Sequence, residues 1–187
     1  MNVKIRIARP EDGSALLAIY SFYITNTAVT FEYDIPSAQE FSLRISETLK
    51  NYPYLVAEVD GKIAGYAYAS RFRSRAAFAW AVETSIYLGQ EFTRLGLGRL
   101  LYENLEKILS RQHVTNLYAC IAAPNEDDDP YLTKNSQLFH ASVGYKKVGL
   151  LTNCASKFGK WYNLVYMEKV ISDYDSPPED FISFRNL

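Results

Sequence analysis

The sequence predicts an α/β or α+β domain built on a mixed sheet. Strand-like and helical runs are interspersed along the chain. A glycine-containing loop, Gln90 to Gly98, joins a strand-like run to an amphipathic one, and two strand-like runs follow the last helical segment. The 187 residues suit one sizeable core. We expect one domain over residues 1–171 and an extended or docked tail over 172–187, marked by Pro177-Pro178.

Val3, Ile5 and Ile7 alternate with polar residues, as in a strand with one buried face. Arg9-Pro10-Glu11-Asp12 ends that run, and Leu16, Leu17, Ile19, Tyr20, Tyr23 and Ile24 recur at helical spacing. Ser37 and Glu40 form a capping-box pattern, with Phe41, Ile45 and Leu49 behind it, so a second helix runs to about Lys50. Tyr54 to Val59 and Lys62 to Ser70 read as strands joined by Asp60-Gly61, a strong hairpin signal. Another strand covers Val82 to Leu88. Past the glycine loop, Leu100, Leu101, Leu105, Ile108 and Leu109 mark one face of a helix. Leu117, Ala119 and Ile121 alternate as the next strand, and the acidic stretch Asn125 to Lys134 reads as a loop. A short helix, Ser136 to Val143, stops at Gly144. Two strands close the order, about Lys146 to Leu151 and Tyr162 to Val170.

Composition excludes some classes. With 48% hydrophobic and 22% charged residues, the chain is of ordinary globular type. A net charge of -1 gives no general electrostatic reason to bind nucleic acid or an acidic membrane, although Arg71, Arg73 and Arg75 form a local basic stretch. No apolar run approaches the roughly 20 residues of a membrane span, and the first nine residues lack a signal-peptide core. Cys120, Cys154, His113 and His140 have no metal-type spacing, so no metal is expected. Buried free thiols in a reducing cytoplasm are the expected reading of the cysteines. The 15 Tyr and 10 Phe suit core packing or a substrate cavity.

Arg94-Leu95-Gly96-Leu97-Gly98-Arg99 sits between strand and helix. Glycine there lets backbone approach a ligand, and the first helical turn offers unpaired N–H groups to an anion such as a pyrophosphate. A tight turn that merely needs glycine is the competing reading. The loop is not a Walker loop, since no Lys-Ser/Thr follows Gly98, and it lacks the three-glycine dinucleotide pattern.

The surrounding residues narrow the choice. Val82 to Leu105 resembles the acetyl-CoA segment of GNAT acetyltransferases: a strand, then Gln/Arg-x-x-Gly-x-Gly/Ala, then a helix. The run from Phe78 to Leu88, which contains Trp80-Ala81-Val82-Glu83-Thr84-Ser85, is similar to that of the phosphinothricin acetyltransferase group. So are Asn135 to Tyr145 and the closing Gly159-Lys160-Trp161. Two departures stand out. Thr93 holds the first Gln/Arg position, and the segment after Pro124-Asn125 is longer than usual.

The resemblance implies a mixed, mostly antiparallel twisted sheet flanked by helices, acetyl-CoA as cosubstrate, and direct attack by an amine in a ternary complex. It implies Glu83 as the base that deprotonates the acceptor. Backbone N–H groups of Ile86, Tyr87 and Leu88 become oxyanion and acetyl contacts. Arg94, Leu95, Gly96, Leu97, Gly98 and Arg99 become the pyrophosphate cradle, with Asn125 or Asn135, and Ser136, also toward the cofactor. His140 falls where many relatives place the group that protonates the departing thiolate, with packing against the sheet as an equal alternative. Phe31, Arg73 and Arg75 stand where relatives line the acceptor pocket, the arginines matching a substrate carboxylate. The implied partner is a small amino-acid-like amine, with no nucleic acid or membrane. Homodimers are common among similar proteins. A protein N-terminus or lysine as acceptor, or a non-catalytic CoA-binding module, are the competing functions.

Overall fold

The computed structural model describes residues 1–187. The strands are β1 (Val3–Ile7), β2 (Tyr54–Val59), β3 (Lys62–Arg71), β4 (Ala81–Leu88), β5 (Asn116–Ala123), β6 (Lys146–Lys157) and β7 (Lys160–Val170). The helices are α1 (Gly13–Asn26), α2 (Ala38–Asn51), α3 (Leu97–Arg111) and α4 (Asn135–Ser142). The residues form two compact units. One holds Met1–Ile19, Pro36–Leu117 and Val170–Leu187; the other holds Tyr20–Ile35 and Tyr118–Lys169.

In the first unit β1 to β4 pair in sequence order, each antiparallel to the next. Asp60 and Gly61 take φ of +49° and +80°. Two successive positive φ values make the tight β2–β3 turn whose twist matches the strands. Ser37 caps α2, its hydroxyl accepting from the Glu40 N–H at 3.1 Å. The Glu40 carboxylate instead meets Arg44 one turn on, at 2.6 Å. Helix α3 buries Leu97, Leu101, Leu105 and Leu109, a stripe of four-residue spacing. Leu97 packs with Val59 and Ala64. Much of the aromatic content goes into one sheet face, where Tyr54 stacks on Tyr68 at 4.8 Å and Phe41 meets Tyr66 edge-on at 6.3 Å.

The C-terminal tail is docked on this unit. The Trp80 indole N–H donates to the Glu179 carbonyl at 2.6 Å, and Phe181 packs on Tyr52 at 5.5 Å. Gln112 is fully buried, and its Nε2 donates to the carbonyls of Ile182 at 2.6 Å and Asn51 at 2.7 Å.

In the second unit the strand order is β5-β7-β6. Its core joins Ala28, Ala122, Leu132 and Tyr162. Strand β6 runs six residues past the predicted end at Leu151, because polar residues continue the pairing to Lys157↔Lys160 across a register shift between Leu151 and Ala155. Asn153 takes φ +48° in that shift, and its N–H is held by Asn163 Oδ1 at 2.9 Å. Cys154 lies there too and is exposed, not buried as expected, because the polar run 152–156 holds no core face. A second tight hairpin, unpredicted, turns at Phe158 (φ +52°) and Gly159 (φ +73°). Phenylalanine is strained there. Stacking of its ring on Tyr131, at 4.2 Å, offsets the strain.

Helix α4 starts one residue earlier than predicted, at Asn135, and Gly144 follows it at φ +100°. No helix is long and apolar enough to cross a membrane, and no cluster of His, Cys, Asp and Glu could hold a metal.

Candidate active site

In the first unit, β4 leads through a short 3₁₀ turn, Gln90–Phe92, into the glycine loop. Thr93 Oγ1 donates to the Gln90 carbonyl at 3.1 Å, so its side chain closes its own loop. Arg94 and Gly96 take φ of +62° and +80°. Gly96 is the N-cap of α3, and no side chain caps that end. A Cβ at Gly96 would meet nothing within 4 Å, so backbone conformation, not space, requires the glycine. Gly98 is buried in the first turn, while Arg94, Leu95, Gly96 and Arg99 are exposed. The first bond of the helix runs from Leu100 N–H to Gly96 O at 3.2 Å. The amides just before it have no acceptor within the helix. An exposed loop, an open helix start and two arginines fit a diphosphate.

Strand β4 pairs Glu83 with Ser70, Ile86 with Ala67, Tyr87 with Tyr66 and Leu88 with Gly65. Alternation along the strand puts Glu83, Ser85 and Tyr87 on one face, and Val82, Thr84 and Ile86 on the other. Glu83 is half-buried. On the opposite face Thr84 hydrogen-bonds Tyr102, and burial raises this phenol beyond its usual range despite that bond. Gly65 is needed where β3 passes Leu88. A Cβ there would fall 2.4 Å from Leu88 Cδ2 and 2.7 Å from the Tyr87 carbonyl. Arg73 and Arg75 line a concavity with Arg71, Asn51, Tyr52 and Phe181. Arg73 folds over its neighbour, with its guanidinium 4.1 Å from the Phe72 ring centroid and Nη1 donating to the Phe72 carbonyl at 2.9 Å.

The second unit carries Phe31, Asn125, Asn135, Ser136 and His140. Asn125 serves the hairpin, with Nδ2 donating to Asn153 Oδ1 at 2.7 Å and to the Trp161 carbonyl at 3.0 Å. Asn135 stands exposed at the start of α4, followed by half-buried Ser136. His140 is only 4% exposed. Its Nδ1–H donates to the Ser136 carbonyl at 2.7 Å, which leaves Nε2 as the acceptor nitrogen of the neutral ring. Burial pulls its pKa from 6.5 to about 4, against the opposing pull of that hydrogen bond, so the ring is neutral at physiological pH. Tyr145 packs edge-on against it at 5.2 Å. Phe31 packs against Tyr162 at 6.2 Å.

Comparison with known proteins settles the family. Residues 5–166 match the acetyltransferase (GNAT) domain. The chain is 34% identical to a phosphinothricin N-acetyltransferase of Streptomyces viridochromogenes, over 94% of this chain and 90% of that one. It belongs to the GNAT acetyltransferase family. A methionine sulfoximine/methionine sulfone acetyltransferase of Salmonella typhimurium is 25% identical over 92% of this chain and 97% of its own length. Among solved structures, a GNAT phosphinothricin acetyltransferase from Sinorhizobium meliloti, in complex with acetyl-CoA, superposes with a TM-score of 0.83 at 30% identity. That match covers 96% of this chain and 94% of the other.

The protein is therefore a GNAT N-acetyltransferase, and its fold is that of the acetyl-CoA-bound neighbour. Sequence reasoning missed Gly65, the Thr84–Tyr102 bond and buried Lys157. A glycine inside a strand pattern was the available signal for the first. A lysine in a polar run gave none for the last.

Proposed function

We propose that this enzyme acetylates the primary amine of a small amino-acid-like acceptor, of the phosphinothricin or methionine sulfone kind, by direct attack in a ternary complex. The observation that carries the reading is the path of β4. One strand bears half-buried Glu83 and then Ile86 to Leu88, and it feeds the uncapped α3 start at Gly96. The named substrates of the relatives suggest the acceptor class.

Acetyl-CoA supplies the activated acyl group. Gly96, Leu97, Gly98 and Arg99 hold its diphosphate through backbone N–H groups, with Arg94 adding charge and Leu95 completing the loop. Of the two asparagines we assign Asn135, with Ser136, to the cofactor, because the Asn125 amide is spent on the β6–β7 hairpin. Glu83 takes the proton from the acceptor ammonium, directly or through water. Main-chain N–H groups at Ile86, Tyr87 and Leu88 stabilise charge developing on the thioester oxygen. Phe31 and Arg75 contact the acceptor, Arg75 by pairing with its carboxylate; Arg73 does so only by leaving Phe72. His140 takes part as a neutral hydrogen-bonding group, because burial holds its pKa near 4, and the CoA thiolate, released as the C–N bond forms and the C–S bond breaks, takes its proton from solvent.

The test is release of free thiol from acetyl-CoA with a panel of acceptors: phosphinothricin, methionine sulfone, the common amino acids, and peptides with free N-termini or lysines. Saturable turnover confined to free amino acids is expected. Turnover of peptides alone would replace the acceptor assignment. Acetyl-CoA binding with no turnover of any acceptor would make the protein a binding module.

A further inference from the structure

The segment between α1 and α2 has no ladder of its own, yet it carries Phe31 and Glu32. Its place is set by hydrogen bonds from three directions, two of them from side chains. The Tyr20 hydroxyl shares a 2.7 Å bond with Thr30 Oγ1 and donates to Glu32 at 3.0 Å. Ala28 N–H donates to the Tyr131 carbonyl at 3.0 Å. Lys157, at the end of β6, donates from Nζ to the carbonyls of Thr27 at 3.0 Å and Thr30 at 2.8 Å.

Lys157 is only 2% exposed. A buried ammonium costs free energy unless it is hydrogen-bonded, so a polar run that ends in one needs a reason. Burial pulls this ammonium below the usual lysine range, and the charge of Glu32 opposes that pull. The Phe158 ring lies beneath it, with Nζ 5.1 Å from the ring centroid. The two carbonyls it holds are three residues apart, and Thr30 directly precedes Phe31. Next to Lys157, the Ser156 carbonyl accepts from the hydroxyl of Tyr33, on the far side of Phe31 and Glu32.

We propose that Lys157 is a positioning residue that sets the acceptor-contacting segment 27–33, and with it Phe31, through two main-chain carbonyls. This rests on the reading above that Phe31 meets the acceptor. Lys157 touches neither acceptor nor acetyl-CoA in this scheme. It acts through the segment it pins, so its loss should change acceptor binding selectively.

The experiment compares Lys157→Met, Lys157→Arg and Tyr33→Phe by steady-state kinetics and by hydrogen exchange. Lys157→Met keeps most of the stem and removes both donated bonds. It should raise the acceptor KM about tenfold while the acetyl-CoA KM stays within about twofold. Lys157→Arg, which keeps charge and donors, should recover part of the loss. Exchange should quicken at amides 28–33 while β7 amides keep their protection. Tyr33→Phe removes a surface bond, so it folds even if the Met variant does not, and it should move the same quantities less. Both KM values rising together, or exchange quickening equally over β7, would reduce Lys157 to a stability role and overturn the proposal. If wild type acetylates none of the amino acids, the acceptor reading fails, and the exchange pattern still decides whether Lys157 sets the segment.

Discussion

Glu83 and His140 are both ionisable, but their settings differ. Glu83 is half-buried on a strand and keeps part of its surface open to solvent. Glu83→Gln should fold normally and lose about 10²–10⁴ in turnover, with part recovered at high pH, where more of the acceptor is free amine. Wild-type turnover at neutral pH in that variant would remove Glu83 from the mechanism. His140 is buried and neutral, and this has a consequence for stability. The unfolded chain binds a proton at the ordinary histidine value, near 6.5, whereas the folded chain resists it down to about 4. The unfolded state therefore gains protons first as pH falls, and stability present above pH 6.5 is lost toward pH 4. The loss from this residue is about 2 kcal/mol between pH 7 and pH 5. Urea unfolding at both values should show it in wild type and not in His140→Gln. An equal acid loss in that variant would place the sensitivity elsewhere. In kinetics, retained turnover in His140→Gln but not in His140→Ala would support hydrogen bonding over proton transfer.

At the scale of single elements, the start of α3 is the one proposed to cradle the cofactor. Gly96 needs its positive φ, and Gly98 is buried in the first turn. Gly98→Val should leave a folded protein whose acetyl-CoA KM rises at least about tenfold, because a branched side chain crowds the amides proposed to hold the diphosphate. Unchanged acetyl-CoA affinity, read by calorimetry on the folded variant, would move the cradle elsewhere. This loop was legible because glycine is the residue that such backbone requires. Thr93 was legible only as a departure. The structure gives it a local task, closing the 3₁₀ turn through the Gln90 carbonyl. Strand β6 was half-legible, since periodicity marks apolar faces and fails across the register shift after Leu151, beyond which pairing resumes at Ala155.

On the whole-molecule scale, the sequence left open whether the tail is extended or docked, and the structure docks it. It supplies acceptors to Trp80, just before β4, and to the buried amide of Gln112. Gln112 Oε1 is already buried without a partner, so this site has little tolerance. Deleting residues 173–187 should cost roughly 1–3 kcal/mol for each buried donor left unpaired, visible as a lower Tm. An unchanged Tm would mean that water replaces the tail without loss. The kinetic parameters of any surviving enzyme would show whether the tail also steadies the start of β4.

The sequence by itself determined the order of elements, the β2–β3 turn, the cap of α2 and the glycine loop, with the family that these motifs resemble. Each of these rests on local chemistry: side-chain alternation, a capping hydroxyl, or backbone that only glycine adopts comfortably. Tertiary structure alone decided the protonation of His140, the employment of Asn125 in the hairpin, the clash that reserves Gly65, and the burial of Lys157 against segment 27–33. Those depend on which atoms distant in sequence surround a group. Burial and hydrogen-bond partners, not residue type, set its charge and its work.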